Sequence, residues 1–539
     1  MSNRIVSFML ICAILSGLTA YKVYRETFSW FQPENTSLRF QYAGVHNVLL
    51  YGKEPLQRRS SSDERLNIEN LVLLPENQLL LLTRLPFMLS PKSDLECVFT
   101  GGIATQVIGI DYFDGRDAVR CGVPFSLPPL PLDVVLKDHR NLFSLQMTES
   151  RPLKWELMVY ESIVTEKDVI LFAKGINPRQ GMNTPPGNLH CVFNNAVQTA
   201  VTVSVQEIFR CAHPPKHLRS KLSGAQISLK SSALQMPSVA NYNPNRLVRK
   251  TGETKNAKKF LCACTMVFNA AKFMKEWIIY HSYLGVEEFF IYDNNSEDNL
   301  EEVINSLTGY SVSRRPWPWV KTQEAGFAHC ALKAADKCEW MMFTDVDEFV
   351  FSHGWSDHES RNALQILLVN KTRESNSTLG QVSVNCRNFG PSNQTEHPAA
   401  GVTQGYTCRQ RAEQRHKSIV LLEALSASLM NVIHHFELKD GYKSVALKSS
   451  EMVINHYKYQ AWSEFKAKFR RRVSAYVADW KEEKNPASQD RAPGLGYQAV
   501  KPPLWEKKFC EVNDTSLLQF AAKVFSVKSG SLSLLQWQL

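Results

Sequence analysis

The pattern of apolar and polar positions changes along the chain, at a polar stretch spanning residues 218–258. Before it, short apolar or alternating runs are separated by clusters of Pro and Gly, and few stretches have helical periodicity. This pattern predicts a β-rich, sandwich-like domain over residues 67–217. Its predicted strands are 79–82, 107–110, 155–160, 168–173 and 199–205.

After the polar stretch, which we interpret as a linker, strand-like and helix-like patterns alternate. Such alternation favours an α/β domain with a largely parallel sheet, here over residues 259–539. The predicted strands are 260–268, 288–292 and 340–344, and the predicted helices are 271–284, 299–307 and 323–338.

The N-terminus carries an apolar run, residues 5–21, with Arg4 before it and Lys22 after it. We interpret residues 1–25 as a signal-anchor that spans the membrane as a helix, and residues 26–66 as a stem. A short run suits the thinner membranes of the early secretory pathway. A signal peptide cleaved within residues 16–20 stays open as the alternative.

Charge and sequons bear on the compartment. The 539 residues carry a formal net charge of +10, and no aromatic-interleaved recognition module accompanies the basic residues, so nucleic acid is excluded as a partner. Acceptor sequons indicate a lumenal chain. They lie at Asn35, Asn294, Asn370, Asn376, Asn393 and Asn513.

The same cysteine frame occurs twice in the β-rich region. Cys-Val-Phe at residue 97 is followed by Arg-Cys ending at residue 121, and Cys-Val-Phe at residue 191 by Arg-Cys ending at residue 211. We predict the disulfides Cys97–Cys121 and Cys191–Cys211, each contributing about 3 kcal/mol. Four buried thiols are the alternative.

The chemistry centres on the string Trp-Met-Met-Phe-Thr-Asp-Val-Asp-Glu-Phe, residues 340–349. A buried strand delivers Asp345 and Asp347 at its C-terminal end, where ligands bind in open α/β sheets. Hard carboxylate oxygens suit Mg²⁺ or Mn²⁺, and such an ion can hold a diphosphate. A pair of acids that merely cap a strand end is the structural alternative.

A phosphatase of the haloacid-dehalogenase type also uses a strand-end Asp-x-Asp. That architecture places the motif near the start of its domain, whereas here an α/β stretch from Phe260 precedes it. Within that stretch, polar residues 293–299 follow a strand. Asp293 could accept hydrogen bonds from a uracil or ribose, or the segment could be an Asx-rich turn that caps a helix.

These strings resemble glycosyltransferase family 92, the former domain of unknown function 23, over roughly residues 260–476. The matching strings are Thr-Met-Val-Phe-Asn at 265–269, Glu-Trp-Ile-Ile-Tyr-His at 276–281, Leu-Gly-Val-Glu at 284–287, Phe-Ile-Tyr-Asp-Asn at 290–294, Lys-Thr-Gln at 321–323, Asp-Val-Asp-Glu-Phe at 345–349, His-Lys-Ser at 416–418 and His-Tyr-Lys at 456–458. The chain looks most like the plant branch, which includes the pectic β-1,4-galactan synthases.

The resemblance implies a GT-A nucleotide-sugar fold, a UDP-sugar donor (UDP-galactose where known), Mn²⁺ and inversion at the anomeric carbon. It implies that Asp345 and Asp347 orient the metal and that His456 completes its shell, with His434 and His435 as back-up candidates. A core histidine is the alternative for His456. The expected donor-binding residues are Asn269, Asp293, Lys321, Gln323, Arg415 and Lys417.

An inverting transferase needs a base for the acceptor hydroxyl, and Glu413 is the first candidate because it lies among basic residues. Glu348 is interpreted as structural. Trp317 and Trp319 would either stack on sugar rings or form a packed turn.

The predicted function is transfer of a sugar, expected to be galactose, from a UDP-sugar to a polysaccharide or glycan acceptor. We expect a single-pass type II Golgi membrane protein whose catalytic domain is lumenal. A lumenal carbohydrate-binding protein with an inactive transferase domain is the alternative. Whether the β-rich domain binds glycan or pairs two chains into a homodimer is left open.

Overall fold

The computed structural model describes residues 68–75, 77–83, 94–124, 131–138, 144–177, 181–244, 257–356, 360–376, 378–432, 434–468, 501–530 and 532–539. All of them lie in one compact unit, Arg65–Leu539. The predicted anchor and stem fall outside the described residues. Among those that are described, no helix is both long and apolar enough to cross a membrane.

The β-rich region consists of two antiparallel-dominated sheets. The first has the order β7-β6-β3-β4-β5-β2-β1-β8 and the second the order β14-β11-β12-β13-β10-β9. The strands are β1 Ile68–Leu74, β2 Gln78–Thr83, β3 Leu95–Phe99, β4 Ile103–Phe113, β5 Arg116–Gly122, β6 Leu132–Asp138, β7 Ser144–Ser150, β8 Leu153–Lys154, β9 Met158–Val164, β10 Val169–Lys174, β11 Leu189–Phe193, β12 Val197–Val205, β13 Ile208–Cys211 and β14 Ile227–Ser231.

The repeated cysteine frame corresponds to one three-stranded unit used twice. In β3-β4-β5 and again in β11-β12-β13, a long central strand pairs first with the strand before it and then with the strand after it. A register shift follows the first residue pair of the second pairing, between Val107 and Gly109 in β4 and between Val201 and Val203 in β12. The outer strands are joined by the predicted disulfides Cys97–Cys121 and Cys191–Cys211.

Each of the two sheets has a hydrophobic cluster of its own, around Leu81 and Val119 in the first and around Leu171 and Phe209 in the second. A further cluster takes residues from both sheets. The predicted β-rich region therefore consists of two sheets in succession along the chain.

Part of the predicted linker belongs to the second sheet. β14 pairs with β11, and the segment after it buries Met236 and Tyr242 in the same cluster. The alternation Ile-Ser-Leu-Lys-Ser is that of an edge strand but is too short to stand out from a polar neighbourhood. Residues 245–256 of the predicted linker lie outside the described residues.

The second half of the chain has the predicted α/β architecture. Its main sheet runs β17-β16-β15-β18-β22-β20-β26-β19, with β25 beside β20. The strands are β15 Lys259–Val267, β16 Glu288–Asp293, β17 Val312–Pro316, β18 Cys338–Phe343, β19 Glu348–Phe351, β20 Leu379–Asn388, β21 Cys408–Arg409, β22 His416–Leu421, β23 Asn431–Val432, β24 His435–Phe436, β25 Lys443–Ala446, β26 Val453–His456, β27 Val512–Asn513, β28 Ser526–Ser529 and β29 Leu532–Leu535.

Helices cover this sheet. The α-helices are Lys216–Arg219 (in the β-rich region), Ala271–Tyr283, Leu300–Ser306, Gln323–Ala334, Ala363–Glu374, Val402–Gly405 and Ser516–Phe525. The 3₁₀ helices are Pro186–Asn188, His353–Ser356, Leu422–Ala424, Trp505–Lys507 and Gln536–Gln538. β15, β16, β17 and β18 are mutually parallel, so their carboxyl ends meet at one edge.

The two halves share a hydrophobic cluster on one face of the α/β sheet. Trp317 and Trp319 are 0% exposed, and Trp319 stacks on Trp155 with ring centroids 5.6 Å apart. Tyr160 contacts both rings of the pair. The prediction of a packed turn is therefore confirmed. The prediction that Trp317 and Trp319 stack on sugar rings is wrong, because the β-rich region covers both indole rings.

Disulfides also tie the α/β half. Cys262–Cys338 joins neighbouring strands β15 and β18, Cys264–Cys330 joins β15 to the helix Gln323–Ala334, and Cys408–Cys510 closes the C-terminal part. Together with the predicted pair, they make five disulfides within the described part of the chain. Such a set is typical of proteins that fold in an oxidising compartment.

Candidate active site

A turn after β18 positions the acidic motif. The strand residues Met341, Met342 and Phe343 are fully buried and fix the direction of the chain. The backbone N–H of Glu348 donates to the carbonyl of Asp345 at 3.0 Å. In return, the Glu348 carboxylate accepts the backbone N–H of Asp345 at 2.9 Å. Glu348 thus holds the turn that presents the two aspartates, as its structural interpretation predicted.

Lys417 is the buried cation of the site. It lies on β22, antiparallel to β18, and its Nζ is 2.8 Å from Asp345 Oδ2 and 3.0 Å from Glu348 Oε1. His434 Nε2 accepts a hydrogen bond from the same Nζ at 2.6 Å. The ammonium group therefore joins two carboxylates and an imidazole.

These contacts set the protonation of the cluster. Burial raises the pKa of Glu348 to about 8, against the opposing effect of Lys417. Burial would also raise the pKa of Asp345, but Lys417 and His434 hold it well below its usual range. Burial and the neighbouring Lys417 lower the pKa of His434 to about 3, so this ring is neutral at physiological pH.

Asp347 faces a second cation. Its side chain is 4% exposed, and its Oδ2 lies 2.5 Å from Lys468 Nζ and 3.5 Å from His456 Nε2. His456 comes from β26, whose register places it opposite Glu348, and its Nδ1 is 3.6 Å from Glu348 Oε1. The structure thus brings the three predicted metal ligands Asp345, Asp347 and His456 to one place.

The start of the helix Gln323–Ala334 lies at the same place. Gln323 Nε2 is 3.4 Å from Asp345 Oδ1. The preceding loop is held by hydrogen bonds from Trp317 Nε1 to Thr322 Oγ1 and from Thr322 Oγ1 to the Trp319 carbonyl. Lys321 has a positive φ of 63°, and its carbonyl accepts a hydrogen bond from Lys174 of the β-rich region. The β-rich region thus helps to place this helix start.

The predicted nucleoside contacts lie at the ends of β15 and β16. Asp293 is 2% exposed, and its Oδ1 accepts the backbone N–H of Ser296 at 2.9 Å. Asn269 Oδ1 accepts the backbone N–H of Glu297 at 2.7 Å, and Ser296 Oγ accepts the backbone N–H of Asn269. Asn269 and Asp293 therefore brace the same short loop.

The contacts of Glu413 are with residues other than those of the acidic cluster. Glu413 is exposed, and its carboxylate is bound by Asn385, Arg387 and Ser449. Burial raises the pKa of this carboxyl, but the hydrogen bonds from Ser449 and Arg387 lower it by more. The pKa of Glu413 is therefore below its usual value. Arg415 is exposed just before β22 and has a φ of 65°. The role of Glu413 as base stays a prediction.

The donor set at the cluster fits a hard divalent ion, since carboxylate oxygens and an imidazole nitrogen are ligands that Mn²⁺ accepts. Two ammonium groups, Lys417 and Lys468, already neutralise Asp345 and Asp347. In the part of the chain that the structure describes, no three His, Cys, Asp or Glu side chains converge as a closed metal cage. A metal at Asp347 therefore requires Lys468 to withdraw.

Lys468 was not among the site residues that the sequence predicted. It lies 121 positions from Asp347, and no local signal relates the two. His434 appeared only as a back-up metal ligand, whereas the structure makes it a partner of Lys417.

Residues 258–491 match the model of "Glycosyltransferase family 92". The chain is 40% identical over 487 residues to "Glycosyltransferase family 92 protein At1g27200" of Arabidopsis thaliana, covering 86% of this chain and 83% of the relative. It is also 40% identical over 492 residues to "Glycosyltransferase family 92 protein Os08g0121900" of Oryza sativa subsp. japonica, with coverages of 85% and 81%. The chain belongs to glycosyltransferase family 92.

Proposed function

We propose that this glycosyltransferase is a metal-dependent, inverting enzyme of the GT-A type that moves a sugar from a UDP-sugar to a glycan acceptor. The observation that carries the proposal is the position of Asp345 and Asp347 at the carboxyl edge of parallel strands, in contact with Lys417 and Lys468. Carboxylates at that edge suit a cation that holds a nucleoside diphosphate.

Mn²⁺ would be held by Asp345, Asp347 and His456, where it would neutralise the charge that develops on the departing UDP. Other residues of the chain would act on the remaining parts of the donor. Lys417 supplies a fixed positive charge beside Asp345, and Gln323 orients that carboxylate. Asp293 would contact the uridine of the donor.

Inversion needs one displacement at the anomeric carbon, with a carboxylate that removes the proton of the acceptor hydroxyl. Glu413 is our candidate for that base. The lowered pKa of its carboxyl keeps it ionised at neutral pH, ready to accept a proton. Its partners Arg387 and Asn385 would orient it.

Galactose is the sugar that the resemblance to the pectic β-1,4-galactan synthases implies, and a polysaccharide or glycan is the matching acceptor. A type II Golgi membrane protein with a lumenal catalytic domain is consistent with the five disulfides of the described residues.

A release assay tests the proposal. Residues 26–539 are incubated with UDP-galactose, UDP-glucose, UDP-arabinose and UDP-N-acetylglucosamine, with Mn²⁺ or with EDTA, and free UDP is measured. We expect Mn²⁺-dependent release of UDP from UDP-galactose, abolished in Asp347→Ala. Release that persists in EDTA, or that survives Asp347→Ala, would contradict the metal-dependent site.

A further inference from the structure

One arginine joins the β-rich region to the nucleoside end of the site. Arg314, on β17, lies between the carboxylates of Asp293 and Asp111. Its Nε donates to Asp293 Oδ2 at 2.8 Å, and its Nη2 is 2.7 Å from both Asp293 Oδ2 and Asp111 Oδ1. Asp111 belongs to β4, 203 positions earlier in the chain.

The three side chains are shielded from water. Asp293 is 2% exposed, Asp111 11% and Arg314 20%. In such surroundings an ion pair is little screened, and a planar guanidinium held on both sides has one stable orientation. Asp111 thus fixes the direction in which Arg314 meets Asp293.

The contacts of Asp293 leave one direction open. Its Oδ2 receives two donors from Arg314, while Oδ1 receives only the backbone N–H of Ser296. A carboxylate oxygen has two lone pairs, so Oδ1 can accept one more hydrogen bond. A ribose hydroxyl or the imide N–H of uracil is a donor of the required kind.

The loop that follows Asp293 is held from the same side. Arg120 of β5 is 2% exposed, and its Nη2 donates to the Asn295 carbonyl at 3.4 Å, while its Nη1 lies 3.7 Å from Glu297. Glu297 in turn donates its backbone N–H to Asn269. The β-rich region therefore contacts the loop directly through Arg120 and reaches the Asp293 carboxylate through Arg314.

We propose that Asp111 is a positioning residue of the donor site: through Arg314 it orients Asp293 for the uridine of the donor. The β-rich region is then a part of the donor site and does more than accompany the catalytic domain. This inference rests on the proposed function, because it assumes a UDP-sugar donor.

The neighbouring residue supplies a matched control. Arg315 pairs with Asp114 of the β-rich region at 2.8 Å and with Glu161 at 3.5 Å. This pair crosses the same boundary between the two halves, but Arg315 pairs with Asp114 and Glu161 and not with Asp293. Asp114→Ala should lower stability as Asp111→Ala does, without affecting the uridine.

The test measures UDP affinity by calorimetry, in the presence of Mn²⁺, for residues 26–539. We expect Asp111→Ala to raise the Kd for UDP about tenfold and Asp114→Ala to leave it within about twofold of wild type. With the UDP-sugar donor, Asp111→Ala should raise KM while kcat changes little. Asp111→Asn keeps an acceptor oxygen for Arg314 and should give an intermediate Kd; it also serves if the alanine variant does not fold.

Equal Kd values in the Asp111 and Asp114 variants would overturn the proposal, as would a wild-type Kd in Asp111→Ala. If the wild-type protein binds no UDP, both the proposed function and this inference are wrong. If the wild type binds UDP but Asp111→Ala has the same Kd for UDP as the wild type or as Asp114→Ala, only this inference fails.

Discussion

Lys468 Nζ lies 2.5 Å from Oδ2 of Asp347, the second aspartate of the acidic motif. The carboxylate is 4% exposed, so it needs a positive charge close by. Without a bound metal, Lys468 supplies that charge. The same carboxylate is a proposed metal ligand, so the lysine and the metal compete for it.

Removal of Lys468 should therefore tighten metal binding in the absence of donor. We predict that Lys468→Met lowers the Kd for Mn²⁺ about fivefold, since an ion pair of about 1 kcal/mol no longer has to be broken. Electron paramagnetic resonance of free Mn²⁺ measures this directly. Lys466→Met, two positions away on the same helical segment, is the control and should behave as wild type. An unchanged Kd in Lys468→Met would show that the two cations do not compete.

Lys417 should contribute to the stability of the folded protein. Replacement by Met leaves Asp345 and the fully buried Glu348 without their shared cation. We expect Lys417→Met to lower the free energy of unfolding by about 3–5 kcal/mol in EDTA, because an uncompensated buried charge remains. Urea unfolding at pH 7.5 measures the change. Adding Asp345→Asn removes the carboxylate that is left without its cation and should restore part of the loss; a double variant no more stable than the single one would contradict this account.

His281 should make the protein sensitive to mild acid. Its ring is fully buried, donates from Nδ1 to the Trp277 carbonyl, and accepts the Val350 N–H at Nε2. Burial lowers its pKa to about 3, so the folded protein holds it neutral while the unfolded chain protonates it near pH 6.5. Its contribution is fully present above pH 6.5 and is lost as the pH falls toward 3.

Between pH 7.5 and 5, this difference amounts to about 2 kcal/mol of unfolding free energy. We predict that His281→Gln, although less stable at pH 7.5, loses about 2 kcal/mol less than wild type over that interval. Urea unfolding at the two pH values gives the comparison. Parallel pH profiles for the two proteins would mean that His281 does not titrate as the buried geometry requires.

The sequon at Asn294 should carry no glycan. Its Nδ2 donates to the carbonyls of Trp317 and Trp319 at 2.7 and 3.1 Å, within the loop that meets the β-rich region. Exposed sequon asparagines are the matched controls, and a glycan there would report a lumenal chain. They are Asn370, Asn376, Asn393 and Asn513. Peptide mapping after glycosidase treatment in ¹⁸O water tests each position; a modified Asn294 would contradict the described loop.

The sequence predicted what short segments determine. Strands β15, β16 and β18 are mostly apolar, and their ends place Asn269, Asp293 and Asp345 at one edge once the strands are parallel. The two disulfides of the β-rich region followed from a frame repeated in the chain itself. These features needed no knowledge of distant contacts.

What the sequence did not predict depends on distant partners. Exposed tryptophans could bind sugar rings, but Trp155 stacks on Trp319, and Tyr160 and Phe172 pack on Trp317. No sequence pattern in either segment predicts these contacts. Lys468 reaches Asp347 only after β26 has brought its segment back to the site. β14 was hidden because a five-residue edge strand carries too little alternation.

The central claim is that Asp345 and Asp347 form a metal-dependent site for UDP. Its most direct test is calorimetric titration of UDP into residues 26–539, in Mn²⁺ and in EDTA, for wild type and for Asp345→Asn. We predict binding in Mn²⁺ that is at least about tenfold weaker in EDTA and is weakened to a similar degree by Asp345→Asn. UDP affinity that is the same with and without metal, and the same in Asp345→Asn, would contradict the account.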